Sequence, residues 1–250
     1  MNSLSAPSSW LIRSAMLILV NSAFGEVGLE PFGAALDINS RYVWRGLAWS
    51  DGAVLQPSVW CGFEPVTFTV WGNFVPGQEA NQGQFNEVDF FLEVEHSIGQ
   101  LELTGNLGYY QYPNQTDAPA TADFELICSH SLASFDLLLT NSIDFLEYRG
   151  AYFGSIGLGH SVELCKVGLY HELSLGWSSS EFNEAYIGLD ENSILMINYA
   201  ASLELDWAGL TLEPHLNLSY LPLESIHEYV DRPFLILIGI SISREILPCN

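Results

Sequence analysis

Residues 234–243 read Phe-Leu-Ile-Leu-Ile-Gly-Ile-Ser-Ile-Ser, a run in which every second side chain is apolar. Side chains along a β-strand point alternately to opposite faces, so this segment is predicted to be a strand with one uniformly apolar face. That face consists of Phe234, Ile236, Ile238, Ile240 and Ile242. The opposite face ends in two serines, so the strand is expected to separate an apolar environment from a more polar one.

Eleven further segments alternate in the same way, and the connections between them alternate between short and long. The twelve strands are predicted at about residues 34–45, 54–63, 66–75, 87–96, 101–112, 123–130, 135–145, 151–160, 164–177, 193–207, 210–220 and 233–243. The short connections are 64–65, 97–100, 131–134, 161–163 and 208–209. Short turns at one end and long loops at the other are typical of outer-membrane proteins. The sequence therefore predicts an all-β fold, an up-and-down antiparallel transmembrane β-barrel of about twelve strands.

A soluble β-sandwich or lipocalin-like barrel is the alternative fold, in which the apolar faces would form the core and the acidic faces would meet water. The number of strands, their length and the asymmetry of the loops favour the membrane barrel. In the first predicted strand, residues 34–45, this interpretation places Leu36, Ile38, Tyr42 and Trp44 on the lipid-facing side.

The N-terminal 25 residues have the features of a secretory signal peptide. Arg13 precedes a short apolar run at residues 15–20, and Ala23 and Gly25 are small residues just before a predicted cleavage site. The apolar run is shorter than the roughly 18 residues that a membrane-spanning helix needs. The predicted domains are therefore a signal peptide at 1–25 and an outer-membrane β-barrel at 26–250, in the outer membrane of a Gram-negative-type bacterium.

The chain is strongly acidic, with a formal net charge of −23, or −24 once Arg13 is removed with the signal peptide (−23 − 1). Nucleic acids are bound largely through Lys and Arg, so a nucleic-acid partner is not expected. An acidic protein is compatible with cationic solutes. The four cysteines show no C-x-x-C spacing, and Cys61 and Cys128 fall on the apolar faces of their strands, where they are expected to behave as small hydrophobic residues.

Nearly all acidic residues in the predicted strands fall on the face opposite the apolar one. A charge in the hydrocarbon layer is costly, so this face is predicted to line the lumen. The pore-lining candidates are Asp37, Arg41, Arg45, Glu87, Asp89, Glu93, Glu95, Glu102, Asp123, Glu125, Asp136, Asp144, Glu172, Glu204, Asp206, Glu213 and His215. Arg41 and Arg45, on the same face of the first predicted strand, are expected to pair with lumen carboxylates. Such pairs could form a stiffening ion-pair network or a constriction that selects solutes.

These features predict a pore or transporter-like protein for small neutral or cationic solutes, with the outer-membrane lipid bilayer as its other partner. One alternative is a structural or adhesive barrel whose external loops, such as 178–192, bind a partner. Another is a membrane-surface hydrolase that would use His215 with Asn217 and Ser219. An enzyme is not the favoured interpretation, and no calcium-loop, P-loop or dinucleotide-binding pattern predicts a metal or another cofactor.

Two segments resemble the first strand and loop of a family of small proteobacterial outer-membrane proteins. They are residues 40–46, Ser-Arg-Tyr-Val-Trp-Arg-Gly, and residues 50–52, Ser-Asp-Gly. That family shows S-x-Y-V-x-R-G and then S-D-G. Residues 87–89 (Glu-Val-Asp), 108–113 (Gly-Tyr-Tyr-Gln-Tyr-Pro) and 124–126 (Phe-Glu-Leu) resemble its later strands in the expected order. The resemblance covers about residues 35–170 and implies an outer-membrane barrel, and most members have no assigned activity. The C-terminal residues Pro248-Cys249-Asn250 depart from the aromatic ending that is common in outer-membrane barrels.

Overall fold

A computed structural model describes residues 32–63, 65–77, 82–116, 118–164 and 167–246, with backbone alone at 63 and 164. The predicted signal peptide, Cys165, Lys166 and Cys249 lie outside these residues. The strands are β1 (Phe32–Asn39), β2 (Tyr42–Trp44), β3 (Leu47–Ser50), β4 (Val54–Phe63), β5 (Val66–Val75), β6 (Gln84–Ile98), β7 (Leu101–Gln111), β8 (Thr121–Leu132), β9 (Phe135–Asp144), β10 (Tyr152–Leu164), β11 (Val167–Ser178), β12 (Ser193–Trp207), β13 (Leu210–Tyr220) and β14 (Phe234–Ile246). Helix α1 (Ser180–Tyr186) and a 3-10 helix (Glu224–Glu228) lie in loops.

Twelve of the described strands form one closed antiparallel barrel in sequence order, which confirms the predicted fold class. The barrel closes because β1 pairs with β14 on one side and with β4 on the other. Ile38, for example, lies opposite Ile240 of β14 and opposite Leu55 of β4. Closure leaves the barrel without an unpaired sheet edge, as a protein surrounded by lipid requires.

The alternation of side chains along each strand divides the barrel wall into an apolar outside and a polar inside. Ile238 of β14 and Leu173 of β11 are 62% and 58% exposed. Leu235 faces the other way and is 2% exposed. Because the large apolar side chains point away from the interior, the soluble alternative with an apolar core is wrong for the barrel wall.

The connections of the barrel differ at its two ends. At the short-turn end, two-residue connections join the strands at 64–65, 99–100, 133–134, 165–166 and 208–209. At the long-loop end the connections are 40–53, 76–83, 112–120, 145–151, 179–192 and 221–233. The predicted turn at 161–163 is wrong, because Ser161 and Glu163 continue the alternation of β10 and pair with Tyr170 and Gly168 of β11.

The first predicted strand is also wrong beyond Asn39. Strand β1 ends there, and residues 40–53 contain a separate two-stranded antiparallel sheet, β2 with β3. Segment 46–53, which connects the first two predicted strands, therefore contains strand β3. We call residues 40–53 the inner hairpin, since its contacts, described below, are with side chains inside the barrel.

A row of hydrogen-bonded amide side chains supports the inside of the wall near the point of closure. Asn39 Nδ2 donates to Gln56 Oε1 over 2.8 Å, and Gln56 Nε2 donates to Asn73 Oδ1 over 3.0 Å. The row ends at Asn86, which accepts from Asn73 Nδ2. These bonds connect β1, β4, β5 and β6 and satisfy polar groups that would be costly to bury alone.

None of the helices formed by the described residues is both long and apolar enough to cross a membrane.

Candidate functional site at the long-loop end

The inner hairpin turns at Arg45 and Gly46, which have φ angles of +50° and +82°. Positive φ at both central residues is typical of the type I′ turns that connect two strands tightly, and glycine adopts this conformation at little cost. The turn packs closely against the wall. A Cβ atom added to Gly46 would lie 2.9 Å from Met196 Cβ and 3.2 Å from Leu221 Cδ2.

The Arg45 side chain makes the main polar contacts of the hairpin with the wall. Its Nη2 atom donates to Ser142 Oγ over 2.7 Å and to Asp123 Oδ2 over 3.1 Å. The same nitrogen lies 3.5 Å from Glu125 Oε2. The Arg45 and Asp123 side chains are 7% and 6% exposed, so this ion pair is buried. Breaking a buried pair by removing one partner typically costs about 3–5 kcal/mol.

Aromatic rings surround the Arg45 guanidinium on its remaining sides. Its Cζ atom lies 4.2 Å from the centre of the Trp44 ring, 4.9 Å from that of Phe153 and 5.7 Å from that of Phe182. Such cation–π contacts are strongest away from water. Burial by itself lowers the pKa of Arg45, but the charges of Asp123 and Glu125 outweigh it and raise the pKa, so the side chain stays cationic.

Two wall carboxylates at this end are held by several hydrogen-bond donors. Asp123 accepts from Tyr110 Oη over 2.8 Å and from Ser142 Oγ over 2.7 Å, in addition to Arg45. Asp144 accepts from the hydroxyl of Thr121 and from the backbone N–H groups at positions 146 and 148, over 2.9 and 3.0 Å. These hydrogen bonds fix the positions of both carboxylates.

An apolar cluster fills the other side of the long-loop end. Its buried members are Leu47, Ala151, Phe153, Phe182, Leu195, Leu221 and Ile226. Phe182 comes from α1, whose N-cap Ser179 accepts from the Phe182 backbone N–H over 3.3 Å. The Phe182 ring stacks on Trp44 with 5.8 Å between ring centres. The inner hairpin is thus packed between α1 and the barrel wall.

Beside Arg45 lies a narrow pocket that is partly open toward solvent. Its lining combines aromatic rings, namely Tyr42, Trp44, Trp49, Tyr110, Tyr112 and Tyr186, with the carboxylates of Glu87, Asp123 and Asp144. Trp49 is 43% exposed and packs edge-on against Tyr186, with 6.1 Å between ring centres. Burial raises the pKa of Tyr42, Tyr112 and Tyr186 above the ordinary tyrosine value, so these hydroxyls remain neutral.

The structure brings part of the predicted residue set to this pocket and spreads the rest along the barrel. Arg45, Glu87, Asp123, Glu125 and Asp144 lie at or next to the pocket. Further along the inside of the wall, with buried or half-buried side chains, are Asp37, Asp89, Glu93, Glu95, Glu102, Asp136, Glu172, Glu204, Glu213 and His215. Asp206 is exposed at the end of β12. That these residues line a conducting pore stays a prediction.

Four assignments in the first predicted strand need correction, because the inner hairpin replaces its second half. Tyr42 does not face lipid: its hydroxyl bonds to Glu87, and its ring centre is 5.6 Å from that of Trp71. Trp44 packs in the aromatic cluster around α1. Arg41 and Arg45 do not share one face of a barrel strand, since Arg45 is at the hairpin tip and Arg41 lies 3.7 Å from Asp51.

The proposed hydrolase site does not have the geometry of a nucleophile and its base. Ser219 Oγ lies 2.6 Å from Asn198 Oδ1 and 3.0 Å from Asn217 Oδ1. The His215 ring contacts Asn39 Oδ1 at 2.6 Å and the backbone oxygen of Glu213 at 3.1 Å. Among the described residues, no group of three or more His, Cys, Asp or Glu side chains is placed to hold a metal ion.

Sequence reasoning missed Trp49 and Tyr186, which line the pocket from loops, and Phe182, whose ring packs against Tyr186. A local signal existed for α1, since Ser179 is followed by Glu181 and by aromatic residues four positions apart at 182 and 186. A signal also existed for the inner hairpin. Alternating residues flank Arg45-Gly46, although Arg is an unusual first residue for such a turn.

The sequence matches no family model and no curated protein. Among solved structures, the chain is similar to an outer-membrane channel from Pseudomonas putida F1, with a TM-score of 0.50 and 8% identity over 92% of this chain and 100% of that one. It is less similar to a bacterial polysaccharide outer-membrane secretin (TM-score 0.41, 8% identity, 89% and 100% covered). A third neighbour is the outer-membrane protein OmpT of Vibrio cholerae (TM-score 0.38, 8% identity, 86% and 98% covered). The fold of this chain is therefore that of an outer-membrane β-barrel.

Proposed function

We propose that the protein is a pore or transporter-like protein of the outer membrane for small neutral or cationic solutes, closed at its external end by the inner hairpin. The long-loop end would be the external one, as in other barrels of this class. The location rests on the fold and on the apolar outer surface, and the solute class rests on the interior charge.

The charge of the interior is the observation that carries the proposal. Among the described residues, the buried carboxylate side chains are Glu87, Asp89, Glu93, Asp123, Asp136, Asp144 and Glu213, and the buried arginine is Arg45. Asp89 Oδ1 has no hydrogen-bond partner within the described chain. Glu93 interacts electrostatically with Glu95 and Glu125, which are also acidic. Carboxylates buried without a counter-charge are costly unless they are protonated or water or cations reach them. A hydrated lumen that admits cations is one arrangement that lowers this cost.

The closing element belongs to a loop and not to the wall, which supports a gated pore over a permanently filled barrel. All twelve wall strands pair with their neighbours without β2 or β3. Removing the hairpin therefore leaves the ladder of backbone hydrogen bonds intact. The hairpin is retained mainly by the Arg45 contacts and by the apolar cluster.

The test compares the full chain with a variant in which residues 41–52 are replaced by a short Gly/Ser linker. Both are reconstituted in planar bilayers under a KCl gradient, and circular dichroism checks that each is a β-barrel. We expect low or intermittent conductance for the full chain and a larger, steady, cation-selective conductance for the variant. A folded variant without conductance overturns the pore, and an anion-selective reversal potential overturns the solute class.

A further inference from the structure

We propose that His160 and His171 form a two-residue Zn²⁺ site on the outer surface of the barrel. The inference goes beyond the proposed function, because this pair lies on the side of the wall opposite the lumen. His160 of β10 and His171 of β11 are directly opposite each other in the register of the two strands. The Nδ1 atom of His160 is 3.3 Å from the Nε2 atom of His171.

The pair lies on a face of the wall that is otherwise apolar in this region. Leu158 and Leu173 form the neighbouring pair toward the middle of the strands, and they are 49% and 58% exposed. Alternation places His160 and His171 on this same outer face, two residues nearer to the short-turn end. Ionisable side chains are costly on a surface that contacts lipid, and in membrane-spanning segments they commonly mark a functional site. A ligand shared by the two imidazoles would account for both histidines.

The distance between the two nitrogens matches the geometry of zinc. Zinc sites are mostly tetrahedral, with imidazole nitrogens about 2.0–2.1 Å from the metal, so two such nitrogens are roughly 3.3–3.4 Å apart. The observed separation of 3.3 Å agrees with this value. Two adjacent nitrogens of a square-planar copper site would be closer together, at about 2.8–2.9 Å. The contact therefore favours Zn²⁺ over Cu²⁺, and without metal it serves as a hydrogen bond between the rings.

The neighbouring strands support one side of the pair and leave room on the other. Phe135 of β9 lies opposite His160, and the centres of the two rings are 4.8 Å apart. The residue opposite His171 on β12 is Ala201, whose side chain is a single methyl group. Tyr199 is farther away, with 6.4 Å between its ring centre and that of His171. Both imidazoles are half-buried, so a metal ion can reach them from the β12 side.

A site of two imidazoles is open. A tetrahedral zinc ion bound there would keep two positions for water or for a donor atom from another molecule. Both rings are needed, because the first nitrogen to bind holds the metal at a high effective concentration beside the second. Loss of either ring should therefore weaken binding nearly as much as loss of both.

The experiment titrates the full-length protein in detergent with ZnCl₂, in competition with a fluorescent zinc indicator at neutral pH. Excess MgCl₂ is present throughout to occupy carboxylates, since Mg²⁺ prefers oxygen ligands. We expect His160→Gln and His171→Gln each to weaken zinc binding by about tenfold, and the double variant to bind no more than slightly less tightly than either. Circular dichroism checks that each variant is a β-barrel.

His130→Gln is the matched control. His130 also lies on the outer face at the short-turn end, but it is opposite Leu101 of β7 and Leu137 of β9. This variant should bind zinc as the wild type does. Equal zinc affinity in the wild type, His160→Gln and His171→Gln overturns the inference, and so does an equal loss in His130→Gln.

A second measurement needs no substitution. In wild-type protein labelled with ¹⁵N at histidine, zinc should shift the ring nitrogen signals of two histidines, and shifts of all or none would overturn the site. Because neither measurement needs ion flow, zinc binding without conductance would overturn the pore alone. Conductance without zinc binding would overturn this site alone.

Discussion

Arg45 and Asp123 are 78 positions apart in the chain, and their side chains meet inside the barrel with 3.1 Å between Nη2 and Oδ2. The contact joins a loop to the wall and is almost fully shielded from water. Removing either partner of such a pair leaves the other charge buried and unpaired, which is strongly destabilising. The pair therefore holds the inner hairpin against the barrel wall.

Replacing Arg45 with Ala should release the inner hairpin from the barrel wall. The hairpin loses its contacts with Asp123, Glu125 and Ser142, and the carboxylates lose their counter-charge. We expect a several-fold higher single-channel conductance in planar bilayers. Arg232→Ala is the control, because Arg232 is 57% exposed and pairs with Asp51 at the surface. Equal conductance of the two variants would show that Arg45 does not hold the hairpin.

Asp123→Asn should destabilise the protein more than Glu125→Gln. Asp123 accepts hydrogen bonds from Arg45, Tyr110 and Ser142, whereas Glu125 lies 3.5 Å from Arg45. We expect a loss of about 3 kcal/mol in the free energy of unfolding for Asp123→Asn and about 1 kcal/mol for Glu125→Gln. Urea unfolding in lipid vesicles measures both. The reverse order would mean that Glu125 is the main partner of Arg45.

Gly46→Ala should displace the hairpin, and Gly99→Ala provides the matched control. Both glycines have positive φ, at +82° and +67°, so both variants carry the same kind of backbone strain, about 1 kcal/mol. A new Cβ at Gly46 meets Met196, whereas nothing lies within 4 Å of one at Gly99. Trypsin should therefore cut after Arg45 faster in Gly46→Ala than in Gly99→Ala or the wild type. Similar cleavage in all three would contradict the close packing of the turn.

A lysine placed on the outer face of the barrel should show, through the loss of stability, whether that face contacts lipid. Ile238 is 62% exposed near the centre of β14, and Ile246 is 43% exposed at the end of the same strand. Ile238→Lys is expected to lower stability in vesicles by about 2–4 kcal/mol, and Ile246→Lys by about 0–1 kcal/mol, because the cost falls toward the interface. Equal small losses, measured by urea unfolding, would indicate that this face meets water.

The barrel wall could be predicted from sequence because the alternation of apolar and polar side chains is a local property of each strand. Alternation places strands 54–63, 66–75, 193–207 and 210–220 at the bounds found in the structure. The same alternation in Tyr42-Val43-Trp44 was assigned to the first barrel strand, although it belongs to the inner hairpin. Periodicity shows that a segment is extended, but it cannot show which partner the segment pairs with.

The pocket could be predicted only in part. The wall carboxylates Glu87, Asp123 and Asp144 followed from their position on the polar face. The aromatic residues Trp49 and Tyr186 did not, because their placement depends on how two loops far apart in sequence fold against each other. The position of Arg45 was also missed. The sequence shows that this cation can pair with an acidic residue, but acidic residues occur on many strands of the barrel and do not identify the partner.

The inner hairpin occupies the first connection of the barrel, yet its contacts are made by residues that follow it in the chain. Arg45 bonds to Ser142, 97 positions later, and Gly46 packs against Met196 and Leu221. While the chain is being assembled, this segment is present long before its binding surface exists. The hairpin can therefore reach its docked position only when these later segments of the barrel are in place.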